Sequence, residues 1–327
     1  EQHHNNSFLC AATVQGQSNM AAGSTIGSNH NSRAADGELV AGRGFWPGLC
    51  VSIKYNSTFA SFTLLAKGDF QYELNVPIPF SLVSNSLDNK ELHIMPGYWF
   101  SYNLYALARN SEKYIDRDRR LDKSIYLEYD FLAPDTINEM TRGLGILESS
   151  VGDAFKLRTK KSPTKSSMEV GRNELLAAAK WIEVTSIYLD NIENSKRSVK
   201  LLKVQAAYAN FRKLISYYCV RELIELTRAN KNYLESLQAL LQKNKNKREE
   251  WINAGGQLVR KKALEQLKSL IKIGKIKSWD EVHQWYQQQS KKYKYDKLNH
   301  AAAVLLEITR IAPHQLNKKR LIALLED

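Results

Sequence analysis

Between Phe8 and Val51 apolar residues recur every six positions: Phe8, Val14, Met20 and Ile26, then, after one break, Leu39, Phe45 and Val51. The residues between them (LCAAT, QGQSN, AAGST, GSNHN) are small or polar. A period of six is neither the ~3.6 of a helix nor the ~2 of a single strand, and it predicts short parallel strands in a β-helix of about three repeats per turn. All seven apolar positions are then expected to point inward, with Phe8, Ile26 and Phe45 stacked on one side and Met20 with Leu39 on another. The break from Ile26 to Leu39 spans thirteen positions, two repeats and one extra residue, which predicts a bulge or corner loop. Asn29, His30, Asn31, Arg33, Asp36 and Glu38 fall inside it.

After Val51 the period fades into short β pieces, SIKYN and TFASFTLL, and Phe70, Tyr72, Leu74 and Val76 alternate as a strand does. Pro77 and Pro79 predict an edge or irregular crossing. A further strand, ELHIM, ends at Pro96-Gly97. From Tyr98 the pattern turns helical. Pro134-Asp135 predicts a helix start, followed by Ile137, Met140, Leu144, Leu147 and Val151 at spacings of three and four. Helical stripes run over Glu174–Asp190, Lys196–Ala229, Tyr233–Leu241 and Trp251–Ile273. Ser278 with Glu281 forms a capping box, and a last helix pair covers Leu298–Ile311 and Arg320–Leu325. The expected architecture is a parallel β-helix followed by a helical C-terminal half.

The 327 residues, 43 % of them hydrophobic, suffice for two domains and a packed core. No run reaches the ~18 consecutive apolar residues of a membrane span, and no membrane partner is expected. The opening EQHHNNS has no leader pattern and no initial Met, which points to a processed, truncated or split chain. Cys10, Cys50 and Cys219 are scattered without metal-ligand spacing, as suits a cytoplasmic protein. Charge is segregated. Residues 1–105 hold five Lys/Arg and seven Asp/Glu, a net of −2, so with +13 overall residues 106–327 carry +15. A partner of the basic surface is therefore met by the helical half.

The repeat resembles the left-handed parallel β-helix of hexapeptide-repeat acyltransferases and of some sugar-nucleotide pyrophosphorylases. More narrowly, IGSNHNSRAADGE (26–38) and YNLYALARN (102–110) resemble a family of bacterial proteins common in gut Bacteroidetes, in which a β-helix precedes a helical tail. This chain is similar to that family's C-terminal part. The resemblance implies a left-handed β-helix with an irregular β extension over 1–97 and a helical domain over 98–327. It also implies a homotrimer and a transferase, of the acyl or sugar-nucleotide type, acting on a sugar or nucleotide-sugar acceptor; the cofactor stays open, with a coenzyme A thioester the donor on the acyltransferase side of the resemblance.

Under that resemblance His30 is the candidate general base, since an imidazole with a pKa near ~6.5 takes a proton at working pH. Asn29 and Asn31 would hold its ring or the acceptor, Asp36 or Glu38 would fix its tautomer, and Arg33 and Arg43 would meet a phosphate or carboxylate. A polar corner loop that is simply solvated is the competing reading. Tyr98, Trp99, Tyr102 and Tyr105 form an aromatic stripe that either packs in the core or offers a stacking platform to a sugar or base. His93 is expected to be buried and hydrogen-bonded. His283 and His300 lie too far apart for ligand spacing, and no metal site is expected.

Basic clusters at 243–248, 260–262, 272–277, 291–297 and 318–320 are rich in Lys rather than Arg and carry no nucleic-acid motif, so a nucleic-acid partner is disfavoured. Three function classes stand. They are a hexapeptide-repeat transferase, a non-catalytic oligomeric scaffold or binding protein whose helical half recruits a partner, and a basic nucleic-acid-associated protein.

Overall fold

A computed structural model describes residues 7–8, 10–28, 37–88, 90–160, 165–229 and 248–311, with the single positions Glu235, Ala239, Gln315 and Lys319. Its contacts divide the chain into two units, Glu1–Glu112 with Glu139–Arg212, and Lys113–Asn138 with Lys213–Asp327.

In the first unit, strands Ser7–Phe8, Thr25–Ser28, Ser52–Lys54 and Asp69–Phe70 form one parallel sheet, and Ala11–Val14, Glu38–Ala41, Thr58–Phe59 and Asn75–Val76 a second. Trp46–Pro47, Leu64–Leu65 and Leu82–Asn85 pair in parallel within a third. Glu91–Met95 joins that sheet antiparallel, then Ser198–Leu201 parallel, and Ile187–Tyr188 antiparallel at its edge. From Thr25 to Asn85 the chain visits the three sheets in turn.

Buried hydroxyls close the corners between strands by reaching back three residues. Ser57 Oγ donates to the Lys54 carbonyl at 2.8 Å, Thr63 Oγ1 to Ala60 at 2.7 Å and Ser81 Oγ to Ile78 at 2.8 Å. An internal partner of this kind is what lets a hydroxyl stay inside. The chain turns through left-handed backbone at Asn56, Phe62 and Phe80. At Gly44, with φ of +72°, a Cβ would lie 2.3 Å from the Phe62 ring, so only glycine fits.

Met20, Ile26, Leu39, Phe45 and Val51 are buried and Val14 is half-buried, as their spacing predicts. The expected stacking holds between Phe8 and Ile26 and is corrected for Phe45. Ile26 registers with Phe8 and with Ile53, which registers with Phe70, while Phe45 stacks on Phe59 at 4.8 Å. The expected left-handed hexapeptide β-helix is corrected as well. What forms is a set of short parallel and mixed sheets, with strands of two to five residues and an antiparallel extension of the third sheet. Regular repeats would return every 18 residues. Here Val40 meets Thr58 and Thr58 meets Asn75, but Thr25 meets Ser52, 27 positions on.

The helices are α1 (Tyr98–Tyr102), α2 (Leu104–Asp116), α3 (Pro134–Thr159), α4 (Ser167–Leu176), α5 (Trp181–Val184) and α6 (Val204–Ala229). In the first unit Phe62, Phe80, Phe100 and Phe211 form an aromatic ladder with centroid steps of 4.9, 4.5 and 6.3 Å. α3 and α4 approach backbone to backbone, since a Cβ on Gly152 would fall 1.8 Å from the Ser167 carbonyl oxygen and one on Gly171 1.8 Å from that of Glu148.

The second unit holds the hairpin Trp251–Ala254/Gln257–Arg260, α7 (Lys261–Lys272) and α8 (Trp279–Thr309). Ala133, Trp251, Leu258 and Tyr293 pack as one buried cluster, and α8 buries His300 to Leu306 in a continuous run. Among the described residues no helix is long and apolar enough to cross a membrane.

Candidate functional site

Asn29, His30, Asn31, Arg33 and Asp36 lie outside the described residues. Glu38, exposed, opens a strand paired with Ala11–Val14 on one side and Thr58–Phe59 on the other. Arg43 is fully buried, donates to Gln17 Oε1 at 2.5 Å and lies 5.5 Å from the Phe62 ring centroid. Trp99 is a core residue whose indole N–H donates to the Phe62 carbonyl at 2.7 Å. Tyr98, half-buried, stacks at 5.5 Å on the exposed Tyr102. Tyr105 is exposed, with the Arg109 guanidinium 5.9 Å from its ring. His93 is half-buried, 3.3 Å from Glu91.

The densest group of perturbed side chains is in the second unit. Glu128 accepts from the Tyr293 hydroxyl and, at 3.3 Å, from Lys297 Nζ. Lys297 also meets Glu222 at 3.2 Å, and Arg221 joins Glu222 at 2.8 Å to Asp130 at 2.7 Å. Burial raises the Asp130 carboxyl above the usual carboxylate range, against the opposing pull of Arg221. Burial works to lower Lys297, yet Glu128, Glu222 and Asp130 together raise it. Burial and the Glu128 charge push the Tyr293 phenol well above its ordinary value.

Beside this group His300 lies 2.9 Å from Asn138 Oδ1 through Nε2 and 3.0 Å from the Tyr218 hydroxyl through Nδ1. Asn138 Nδ2 donates to the Glu249 carbonyl and its Oδ1 accepts from Arg248, so the amide orientation is fixed. That oxygen only accepts; hence Nε2 carries the proton and Nδ1 accepts from Tyr218. Burial, with Arg248 and Lys297 nearby, lowers His300 to about 3. Clustered shifts of this kind mark either an active site or a structural ion network. Here both ring nitrogens are engaged and the residue is buried, so the geometry describes a structural network that holds α8 to the helices around it.

The exposed counterpart is the turn between α7 and α8. The apolar stripe of α7 passes from half-buried Leu264 through buried Leu267 to Ile271, which is 45 % exposed. Ile273 follows at 61 % and Trp279, the first residue of α8, at 79 %. Lys268, Lys272, Lys275 and Lys277 surround them in sequence, all exposed. Among the described residues no ion pair joins Lys268, Lys272 or Lys275 to a carboxylate. The turn is built firmly. Gly274, with φ of +70°, ends α7 while Lys275 N–H bonds to Leu270 at 2.9 Å, and Ser278 and Glu281 complete a capping box at the start of α8.

Residues 232–327 match the model of a family described as a domain of unknown function, DUF6819. A protein of Treponema pallidum (strain Nichols) that bears the name "Uncharacterized protein" is 40 % identical over 314 residues, which is 95 % of this chain and 42 % of that protein. The chain thus spans less than half the length of this relative. No solved structure matches. These findings correct the resemblance to hexapeptide-repeat transferases and to a β-helical family of gut Bacteroidetes: the family match is the domain of unknown function at the C-terminal end, and no hexapeptide-repeat family is among the matches.

The family match covers α7, the turn and α8. Sequence reasoning picked out 272–277 as a basic cluster and Ser278–Glu281 as a cap, without joining them to Ile271, Ile273 and Trp279. The signal was present, since apolar residues that continue a helical stripe beyond the helix end face no neighbouring element. The ionic network had no comparable signal.

Proposed function

We propose that the protein is a non-catalytic binding protein whose second unit engages an anionic partner through the lysines of α7 and the turn that follows it. One contrast supports this reading. The perturbed titratable groups of this unit neutralise one another inside it, while Lys268, Lys272 and Lys275 stand exposed and unmatched by carboxylates among the described residues. The second unit, residues 113–138 and 213–327, holds 28 Lys/Arg and 18 Asp/Glu, a net of +10 against +3 for the rest of the chain, which gives it the long-range attraction. Retention of the full chain on immobilised heparin tests the reading. We expect binding at about 50 mM salt that falls linearly with the logarithm of salt concentration, as counterion release dictates. The variant Lys268→Glu/Lys272→Glu/Lys275→Glu should show a shallower slope and earlier elution. Absence of retention, or an elution profile that the triple reversal leaves in place, would overturn it.

A further inference from the structure

We infer that the α7–α8 turn is a wedge that docks on an anionic lipid surface, Ile271, Ile273 and Trp279 entering the headgroup–acyl boundary while Lys268, Lys272, Lys275 and Lys277 meet lipid phosphates. This rests on the binding reading above and names its partner. Three observations choose the occupant. First, the turn mixes strongly exposed apolar side chains with four exposed lysines and the two exposed acids Asp280 and Glu281, and from Trp279 to Ser290 no α8 residue is buried, so the end of this helix pair has little cover of its own. Second, residues 268–281 hold four lysines against Asp280 and Glu281, a net of +2, which favours an anionic surface over a second copy of the same tip. Third, lysine is depleted at protein–protein interfaces, and two isoleucines gain little in a hydrophilic nucleic-acid groove. A tryptophan and two isoleucines, all exposed, in a lysine-rich stretch are instead the composition of a segment lying at a bilayer surface. The absence of a spanning helix among the described residues is compatible with this, because a wedge enters only one leaflet's boundary. The bonds that close the turn hold the wedge ready, so little ordering remains at docking.

The test is co-sedimentation of the full chain with phosphatidylcholine vesicles, with and without phosphatidylglycerol, alongside heparin retention of the same variants. Wild type is expected to bind only the anionic vesicles. A single Lys272→Gln should weaken binding about fivefold. The exposed-site variant Ile271→Ser/Ile273→Ser/Trp279→Ser should abolish vesicle binding while keeping its heparin retention and circular dichroism. Trp279 fluorescence, read as the difference between wild type and Trp279→Phe, should shift to the blue with anionic vesicles. Heparin retention without vesicle binding would overturn the lipid inference and leave the anionic-partner reading standing, with a nucleic acid or acidic protein in the lipid's place. Vesicle binding that survives the triple Ser variant would overturn the wedge. Failure on both heparin and vesicles would overturn both readings.

Discussion

Protonating His300 would place a cation in a buried site already flanked by Arg248 and Lys297 and would force the Tyr218 hydroxyl to become an acceptor. The folded state therefore binds this proton only near pH 3, whereas the unfolded chain binds it near 6.5. Because the folded value is the lower one, stability is present above 6.5 and is lost as pH falls from there toward 3. Asp130, whose carboxyl is raised by burial, works in the opposite direction, since its protonation favours the fold. Urea denaturation between about pH 6.5 and 5, where ordinary carboxylates remain ionised, should show unfolding free energy declining with acidity. His300→Asn should be less stable at pH 7 and should flatten that decline. An unchanged slope would show that the ring is not the titrating group.

Between α3 and α4 the spacing is set by two glycines, and each neighbour is backbone rather than a movable side chain. Gly152→Ala and Gly171→Ala should each lower stability by about 1–3 kcal/mol or more, measured as a fall in the urea midpoint, while Gly255→Ala, with open space beside it but φ of +67°, should cost less.

Elements with local signals were legible in the sequence. The Pro134 start of α3 and the Ser278–Glu281 box of α8 are where the residues placed them. The six-step spacing identified buried positions, but the small polar residues between them revealed nothing of the hydroxyl-to-carbonyl bonds that close the corners. Three expected helices contain strands, Ile187–Tyr188 being the first, at the edge of the third sheet. Ser198–Leu201 is drawn into the third sheet by pairing with Glu91–Met95, a contact about a hundred residues distant that no local pattern reports. Trp251–Arg260 is a hairpin turning at Gly255-Gly256, both with positive φ, and the Gly-Gly signal was outweighed by helical spacing on either side. The candidate site was half legible: its lysines were, its apolar residues were not set beside them.

At the scale of the molecule, charge and ion pairing follow the division into units. Glu128 and Lys297 are both nearly sealed from water, with 1 % and 12 % of their side chains exposed. Removing one partner of such a pair strands the other, so Lys297→Met should cost about 3–5 kcal/mol, and Glu128→Gln/Lys297→Met should cost less than the two single changes added. A double-mutant cycle in urea checks this, and strict additivity would show that the pair is not coupled. The same pairing sets a timetable during synthesis. Glu128 and its partner Tyr293 are 165 residues apart, and the second part of the first unit, 139–212, lies between them. At about 5–20 residues per second, a carboxylate released early from the ribosome waits roughly ten to thirty seconds for the hydroxyl and ammonium that will neutralise it. The first unit can close during that delay, whereas the 113–138 segment must stay open, a substrate for chaperones, until α8 emerges.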